Sequence, residues 1–348
     1  MDLSGKTLAP RQLYQRVGRL GQVAGIEPFV FDEGQARGVR ALRFRTGGGL
    51  FFDVLCDRGM DLGAAEYRGA PLAWLSPTGV VAPHFRELWG EGWLRSFGGG
   101  LLVTCGLQNV GEPSERDGEE LGLHGRISNI PAALLSHEAH CEGEGCLLQA
   151  RAEVRESRMF GADLVLGRTI SARVGEPCVR IEDTVRNEGS GIEPLMLLYH
   201  LNLGWPLLDT SARLVGPGDP AEPPEPRDAE AQKGLKEWDT FTAPTPGFRE
   251  RVFYHRPRAD AQGWAEARLE NPSLEGGIAL SVRFRPEELG HFVQWTMTGE
   301  GTYVVGLEPA TCRVGGYQRE EAEGRVIHLA PGESRRFRIQ IKISPIRS

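Results

Sequence analysis

Three short stretches of this 348-residue chain place an ionisable side chain among apolar and glycine neighbours: Leu123-His124-Gly125-Arg126, Leu198-Tyr199-His200-Leu201-Asn202 and Gly306-Leu307-Glu308-Pro309. A charge in buried surroundings is costly unless it is paired or used. Carboxylates and imidazoles are the groups that hand protons on near neutral pH, so the chemistry on offer is general acid/base catalysis. An unperturbed Glu308 carboxyl is ionised at pH 7, and a carboxylate beside a histidine raises the histidine's pKa. Glu308 follows the strand-like run Tyr303 to Leu307, and Pro309 is expected to end that strand and leave the carboxylate at its terminus. Each residue has a plainer alternative. Glu308 can pair with an arginine across a sheet, His200 can be a core histidine satisfied by a carbonyl, and His124, between Gly122 and Gly125, can be a turn histidine. Arg126 can contact hydroxyls or an anionic group, as can Arg58 in Cys56-Asp57-Arg58-Gly59-Met60-Asp61, although pairing with Asp57 or Asp61 is the commoner fate of such a side chain.

The elements that must position these residues read as strands. Leu148, Ala150, Ala152 and Val154 alternate with Gln149, Arg151, Glu153 and Arg155, and the same period of two returns at residues 169–174, 179–182, 278–284 and 337–343. These are strands with one face on a core and one in water. Helical signals are few: Leu13, Val17 and Leu20 behind Pro10 form a short stripe. Strands without crossover helices point to an all-β fold of large antiparallel sheets packed face to face. Residues 1–24 are expected to form an N-terminal extension with a short helix, and residues 25–348 a single β-sandwich domain. Gly47-Gly48-Gly49 reads as a hairpin turn, the proline-rich segment from Gly216 to Lys233 as an exposed loop, and Pro113 to Glu120 as a loop that borders a site. The sequence contains no internal repeat.

Composition sets the bounds. The net charge is −7, with 40% hydrophobic and 25% charged residues, and 46 Gly and 23 Pro make up about a fifth of the chain, a turn-rich but globular composition. No run of basic residues suits a nucleic acid. No signal-peptide pattern or membrane-length apolar stretch is present, so neither nucleic acid nor membrane is an expected partner and the expected location is cytoplasmic. The six cysteines, Cys56, Cys105, Cys141, Cys146, Cys178 and Cys312, lack CxxC spacing and read as small core residues rather than a disulfide frame or zinc site.

In order and context, the three stretches resemble the aldose 1-epimerase (galactose mutarotase-like) superfamily. Its members carry a Leu-His-Gly histidine, then a His-x-Asn histidine in an apolar strand, then a Leu-Glu-Pro glutamate. Here these are Leu123-His124-Gly125, His200-Leu201-Asn202 and Leu307-Glu308-Pro309, and the likeness spans residues 25–345. It implies a large β-sandwich and a cofactor-free isomerase that interconverts the anomers of a sugar or sugar derivative. Glu308 would be the base, His200 the acid, and His124 would orient the opening oxygen. Arg58, Arg126, Asn202 and Asp239 would bind the substrate, Asp239 being the best match to the family's hydroxyl-binding aspartate. The family's Arg with a following Asn before the first histidine is missing; Arg58, or Arg126 with Asn129, stands nearest. Trp74, Trp93, Trp205, Trp238 and Trp295 are candidate sugar platforms. The partner is a small carbohydrate, with a homodimer as the assembly to test. Two alternatives stand beside this one: a metal-dependent sugar isomerase or lyase using two histidines and a carboxylate, and a non-catalytic carbohydrate-binding protein. His137 and His140 lack the apolar context of a metal site.

Overall fold

The computed structural model describes residues 1–3, 5–143 and 145–346. In chain order its main strands are β1 Gly25–Val30, β2 Arg40–Arg45, β3 Leu50–Leu55, β4 Asp61–Tyr67, β5 Leu102–Leu107, β6 Ala133–Glu142, β7 Gly145–Ser157, β8 Asp163–Arg173 and β9 Cys178–Asn187. They continue with β10 Glu193–Gly204, β11 Arg213–Val215, β12 Glu225–Pro226, β13 Arg251–His255, β14 Ala265–Asn271, β15 Ile278–Phe284, β16 His291–Gly299, β17 Thr302–Ala310 and β18 Ser334–Pro345. An eight-stranded sheet has the order β6-β7-β8-β9-β18-β15-β14-β11. A twelve-stranded sheet follows the path β12-β13-β16-β17-β10-β5-β4-β3-β2-β1, with Ala70–Pro71 and Ile327–Leu329 on its margin. The main strands pair antiparallel in both sheets, so the expected all-β architecture is present.

The strands with clear alternation all lie in the eight-stranded sheet. In β7, Leu148, Ala150, Ala152 and Val154 are buried while their neighbours reach solvent, which is how an antiparallel sheet with one wet face behaves. Its inward residues join Phe44, Phe52, Leu62 and Leu201 of the other sheet in one apolar core. A buried polar knot crosses that core. Arg168 on β8 pairs with Asp183 on β9 at 2.7 Å and with Asp61 on β4 at 3.3 Å, and Tyr199 on β10 donates to Asp183 at 2.6 Å. Thr104 on β5 donates to Asp61 at 2.6 Å. Buried charges persist only when paired in this way, and here the pairs tie one sheet to the other.

The structure departs from the sequence reading at several points. The N-terminal helix, Pro10–Tyr14 (α1), is shorter than the Leu13–Leu20 stripe, and Leu20 begins a separate 3-10 turn. Leu3, Leu13, Val17 and Leu20 are all buried in the main core. Cys141 and Cys146 form a disulfide, contrary to the expectation of free thiols, because the β6–β7 hairpin register sets them directly opposite each other; the other four cysteines are free and buried. The segment after Gly216 is more than an exposed loop. It contains β12 and the helix α2, Ala229–Lys233, and its Asp228 caps that helix by accepting from the backbone N–H groups of Glu230 and Ala231. Pro309 does not end its strand either, since β17 runs on to Ala310 and Pro309 stands opposite Phe292 of β16. The Gly47–Gly49 turn falls between β2 and β3 as expected.

Candidate functional site

The site is built on the middle of the twelve-stranded sheet. Strand β10 is buried along its whole length, so successive side chains enter two different interiors. Tyr199 points to the polar knot between the sheets, and His200, one residue on, points to the other face. Toward β17 the register runs from Leu201 opposite Leu307 to Leu198 opposite Ala310, which leaves His200 and Glu308 facing each other in between. Strand β16 then sets Val293 opposite Glu308 and Trp295 opposite Gly306. One face of three neighbouring strands thus presents an imidazole, a carboxyl, an indole and a valine, as side-by-side cross-strand positions require.

Gly306 gives the carboxyl its room. Any Cβ there would overlap Glu308 Oε1 and stand 3.1 Å from Trp295 Cβ. His124 arrives from a loop and holds φ at +57°, a conformation uncommon for a side-chain-bearing residue. Its backbone N–H donates to Gly111 O at 2.9 Å, its carbonyl accepts from Gly106 N, and its Nδ1 accepts from Gly111 N at 3.3 Å. An imidazole that accepts at Nδ1 carries its proton on Nε2, so His124 is set up as a donor.

The cavity floored by these residues has a volume of about 700 Å³, within the range of small-molecule sites. Its walls include Trp74, Trp93, Phe97 and Trp295, and its mouth Ser76, Thr78, Glu91, Glu112, Arg227, Asp228, Glu250 and Arg319. Trp93 and Phe97 stack at 4.3 Å, and the Trp93 ring lies 4.7 Å from that of His124. Trp295 Nε1 donates to Glu250 at 2.9 Å, and Arg227 donates to Glu250 at 2.8 Å.

His200 and Glu308 are 5% and 2% exposed. Their Nε2 and Oε1 atoms approach to 3.2 Å, but not in hydrogen-bond alignment, and both His200 Nδ1 and Glu308 Oε1 lack a hydrogen-bond partner. Unsatisfied buried polar atoms are rare and call for an explanation. Burial, and secondarily His124 nearby, pushes His200 down to about 3, and burial pushes His124 down to about 4. Glu308 is held well above the usual carboxylate range by burial and then by the charge of Glu250, with Arg227 opposing. The expectation of an ionised Glu308 raising its histidine is not met: burial moves His200 down and Glu308 up, each toward its neutral form.

The profile of the family described as Domain of unknown function (DUF4432) matches residues 36–343. The chain belongs to this family. A candidate aldose 1-epimerase of known structure from Klebsiella pneumoniae is 30% identical, with a TM-score of 0.85 over 91% of this chain and 83% of that one. A galactose mutarotase-like protein from Clostridium acetobutylicum is 14% identical with a TM-score of 0.66, covering 93% of this chain and 100% of that one. Galactose 1-epimerase from Lactobacillus acidophilus is 12% identical with a TM-score of 0.56 over the same shares of the two chains. No curated protein matches by sequence. This DUF4432 chain is thus a member of the aldose 1-epimerase (galactose mutarotase-like) superfamily and has its fold.

The three residues read as catalytic, His124, His200 and Glu308, line one cavity. Of the substrate-binding candidates, none does. Arg58 is buried as a clamp, donating to Val81 O at 2.6 Å and Ser96 O at 2.8 Å. Arg126 donates to Glu119 and lies over Trp89 beside a separate surface depression. Asp239 pairs with Arg213 in another cavity of about 660 Å³, which also takes Trp238. Asn202 is buried behind His200, donating to the carbonyls of Gly100 and His200. Trp205 is exposed. The sequence reading missed Glu91, Glu112, Arg227, Asp228 and Glu250, which reach the cavity through tertiary packing. Trp74, Trp93 and Trp295, read as sugar platforms, do line this cavity, as does Pro113 of the segment expected to border a site. Among the described residues, no group of three or more His, Cys, Asp or Glu side chains converges as a metal site would require, His124, His200 and Glu308 included. No described helix is long and apolar enough to cross a membrane.

Proposed function

We propose that the protein is a carbohydrate isomerase of aldose 1-epimerase type, interconverting the α and β anomers of a sugar by acid/base ring opening. The observation that carries this reading is a buried carboxyl and a buried imidazole, 3.2 Å apart and each with an unpartnered atom, on the floor of a tryptophan-walled cavity. Indole faces suit the apolar face of a sugar ring.

Ring opening needs one group to take the C1 hydroxyl proton and another to give a proton to the ring oxygen. Both oxygens are bonded to the same carbon, so two neighbouring side chains can serve them together. The His200–Glu308 pair holds one exchangeable proton, and the acid/imidazole form has the same net charge as the carboxylate/imidazolium form. Sugar hydroxyls that donate to the Glu308 carboxyl favour the second form by hydrogen-bonding to the charged carboxylate. Glu308 then takes the C1 hydroxyl proton, the bond from C1 to the ring oxygen breaks, and His200 protonates that oxygen. Rotation of the aldehyde and reversal of the steps yields the other anomer and restores the pair's single proton. His124 Nε2–H donates to an oxygen of the opening ring. Positioned acid/base groups of this kind contribute about 10² to 10⁴ each in rate.

The experiment is NMR exchange spectroscopy on a panel of sugars. Anomer exchange above the spontaneous rate in the wild-type protein, lost in Glu308→Gln, supports the reading, and no acceleration with any sugar refutes it.

A further inference from the structure

We propose that the sugar preferred by this site carries a protonated amino group, an inference that rests on the functional reading above. The cations at the cavity are already engaged. Arg227 is held by Asp228 at 2.9 Å and by Glu250 at 2.8 Å, and Arg319 is held by Glu323 at 3.1 Å. Among the described residues, no lysine lines the cavity. Arg58 and Arg126, the guanidinium groups that a phosphorylated or acidic sugar would need, are committed elsewhere.

Against those two arginines the same walls carry four ionisable acids at the mouth, Glu91, Glu112, Asp228 and Glu250. Among the described residues, neither Glu91 nor Glu112 has an ion-pair partner. The mouth is therefore net negative, and the indoles of Trp74 and Trp295 on the same walls add ring quadrupoles that attract a cation. His200 and Glu308 line the same cavity, and among the described residues Glu308 Oε1 and His200 Nδ1 are buried without a hydrogen-bond partner. An ammonium on the sugar ring meets attraction from the mouth, a neutral sugar meets no net term, and a phosphate or carboxylate meets repulsion without a free guanidinium to offset it.

The test compares kcat/KM for anomer exchange of glucosamine, glucose and glucose 6-phosphate, and of the corresponding galactose series, at pH 6.5 and low salt. Saturation-transfer NMR on the Glu308→Gln protein reads binding separately from turnover. The amino sugar of at least one series is expected to be handled about tenfold better than its neutral parent, and the phosphate worst. The preference should shrink at roughly 0.5 M salt, where the screening length falls to a few ångströms. It should shrink likewise in the Glu91→Gln, Glu112→Gln double variant. Equal or better handling of the neutral sugars, or a preference for the phosphates, overturns this inference and leaves the functional reading standing. No binding and no acceleration with any of them overturns both.

Discussion

Replacing Gly306 with alanine tests whether the position of the Glu308 carboxyl matters, without changing any group that carries a proton. Gly306 lies two residues before Glu308 on the same face of β17, and the added methyl would overlap Oε1 while standing 3.1 Å from Trp295 Cβ. The carboxyl cannot hold its place and must swing away by about 1 Å, a displacement that typically costs around 10²-fold in rate. The backbone itself is not strained, because Gly306 does not occupy the left-handed region. The structural cost is that of overpacking a tight interior, about 1–3 kcal/mol. Polarimetry on an anomerically pure sugar reads the rate, and a thermal melt reads the fold. The single variant should be folded and about 10²-fold slower. Adding Gly306→Ala to Glu308→Gln should cost nothing further in rate, since residues that act through one group are not additive. Full activity in Gly306→Ala, or a further rate loss in the double variant comparable to that of the single one, would refute the reasoning.

Three further outcomes follow from the same structure. The cavity histidines are neutral well below the usual histidine range, so kcat/KM should stay level as pH falls through 6.5 and decline only near the values of about 4 for His124 and about 3 for His200; an acid limb with an apparent pKa near 6.5 would contradict the burial argument. The same groups bind protons only in the unfolded chain between pH 6.5 and about 4, so their contribution to stability falls as pH drops across that window. Arg168→Leu should lower unfolding free energy by about 3–5 kcal/mol in urea titration, because it strands the buried carboxylates of Asp183 and Asp61; a loss below about 1 kcal/mol would show that the knot does not tie the sheets.

The fold was legible wherever a strand has one wet face. Leu148 to Val154 and Phe337 to Ile343 announce themselves by alternation, because every second residue meets water. Strand β10, which carries His200, has no such face and reads only as an apolar run with a misplaced histidine. That misplacement is itself the signal, and the three residues it singled out line one cavity. What stayed hidden depended on partners distant in the chain. Arg58 looks available in sequence, yet it is consumed by carbonyls of Val81 and Ser96. Arg227 and Glu250 look like ordinary surface charges, yet packing of the loop after Gly216 and of the residue preceding β13 brings them to one cavity. Protonation was misread for a similar reason. The sequence shows that a carboxyl and an imidazole can meet but not how little water reaches them, and in this site desolvation sets the sign.

The most direct test of the central claim is the anomer exchange rate of the Glu308→Gln protein, measured by polarimetry or NMR beside the wild type on a sugar that the wild type accelerates. The account predicts that the glutamine variant retains its melt and its sugar binding but loses at least about 10²-fold in kcat, as removal of a positioned base requires. A glutamine variant that keeps the wild-type rate would show that Glu308 is not the proton-transferring group and that the pair it forms with His200 is structural.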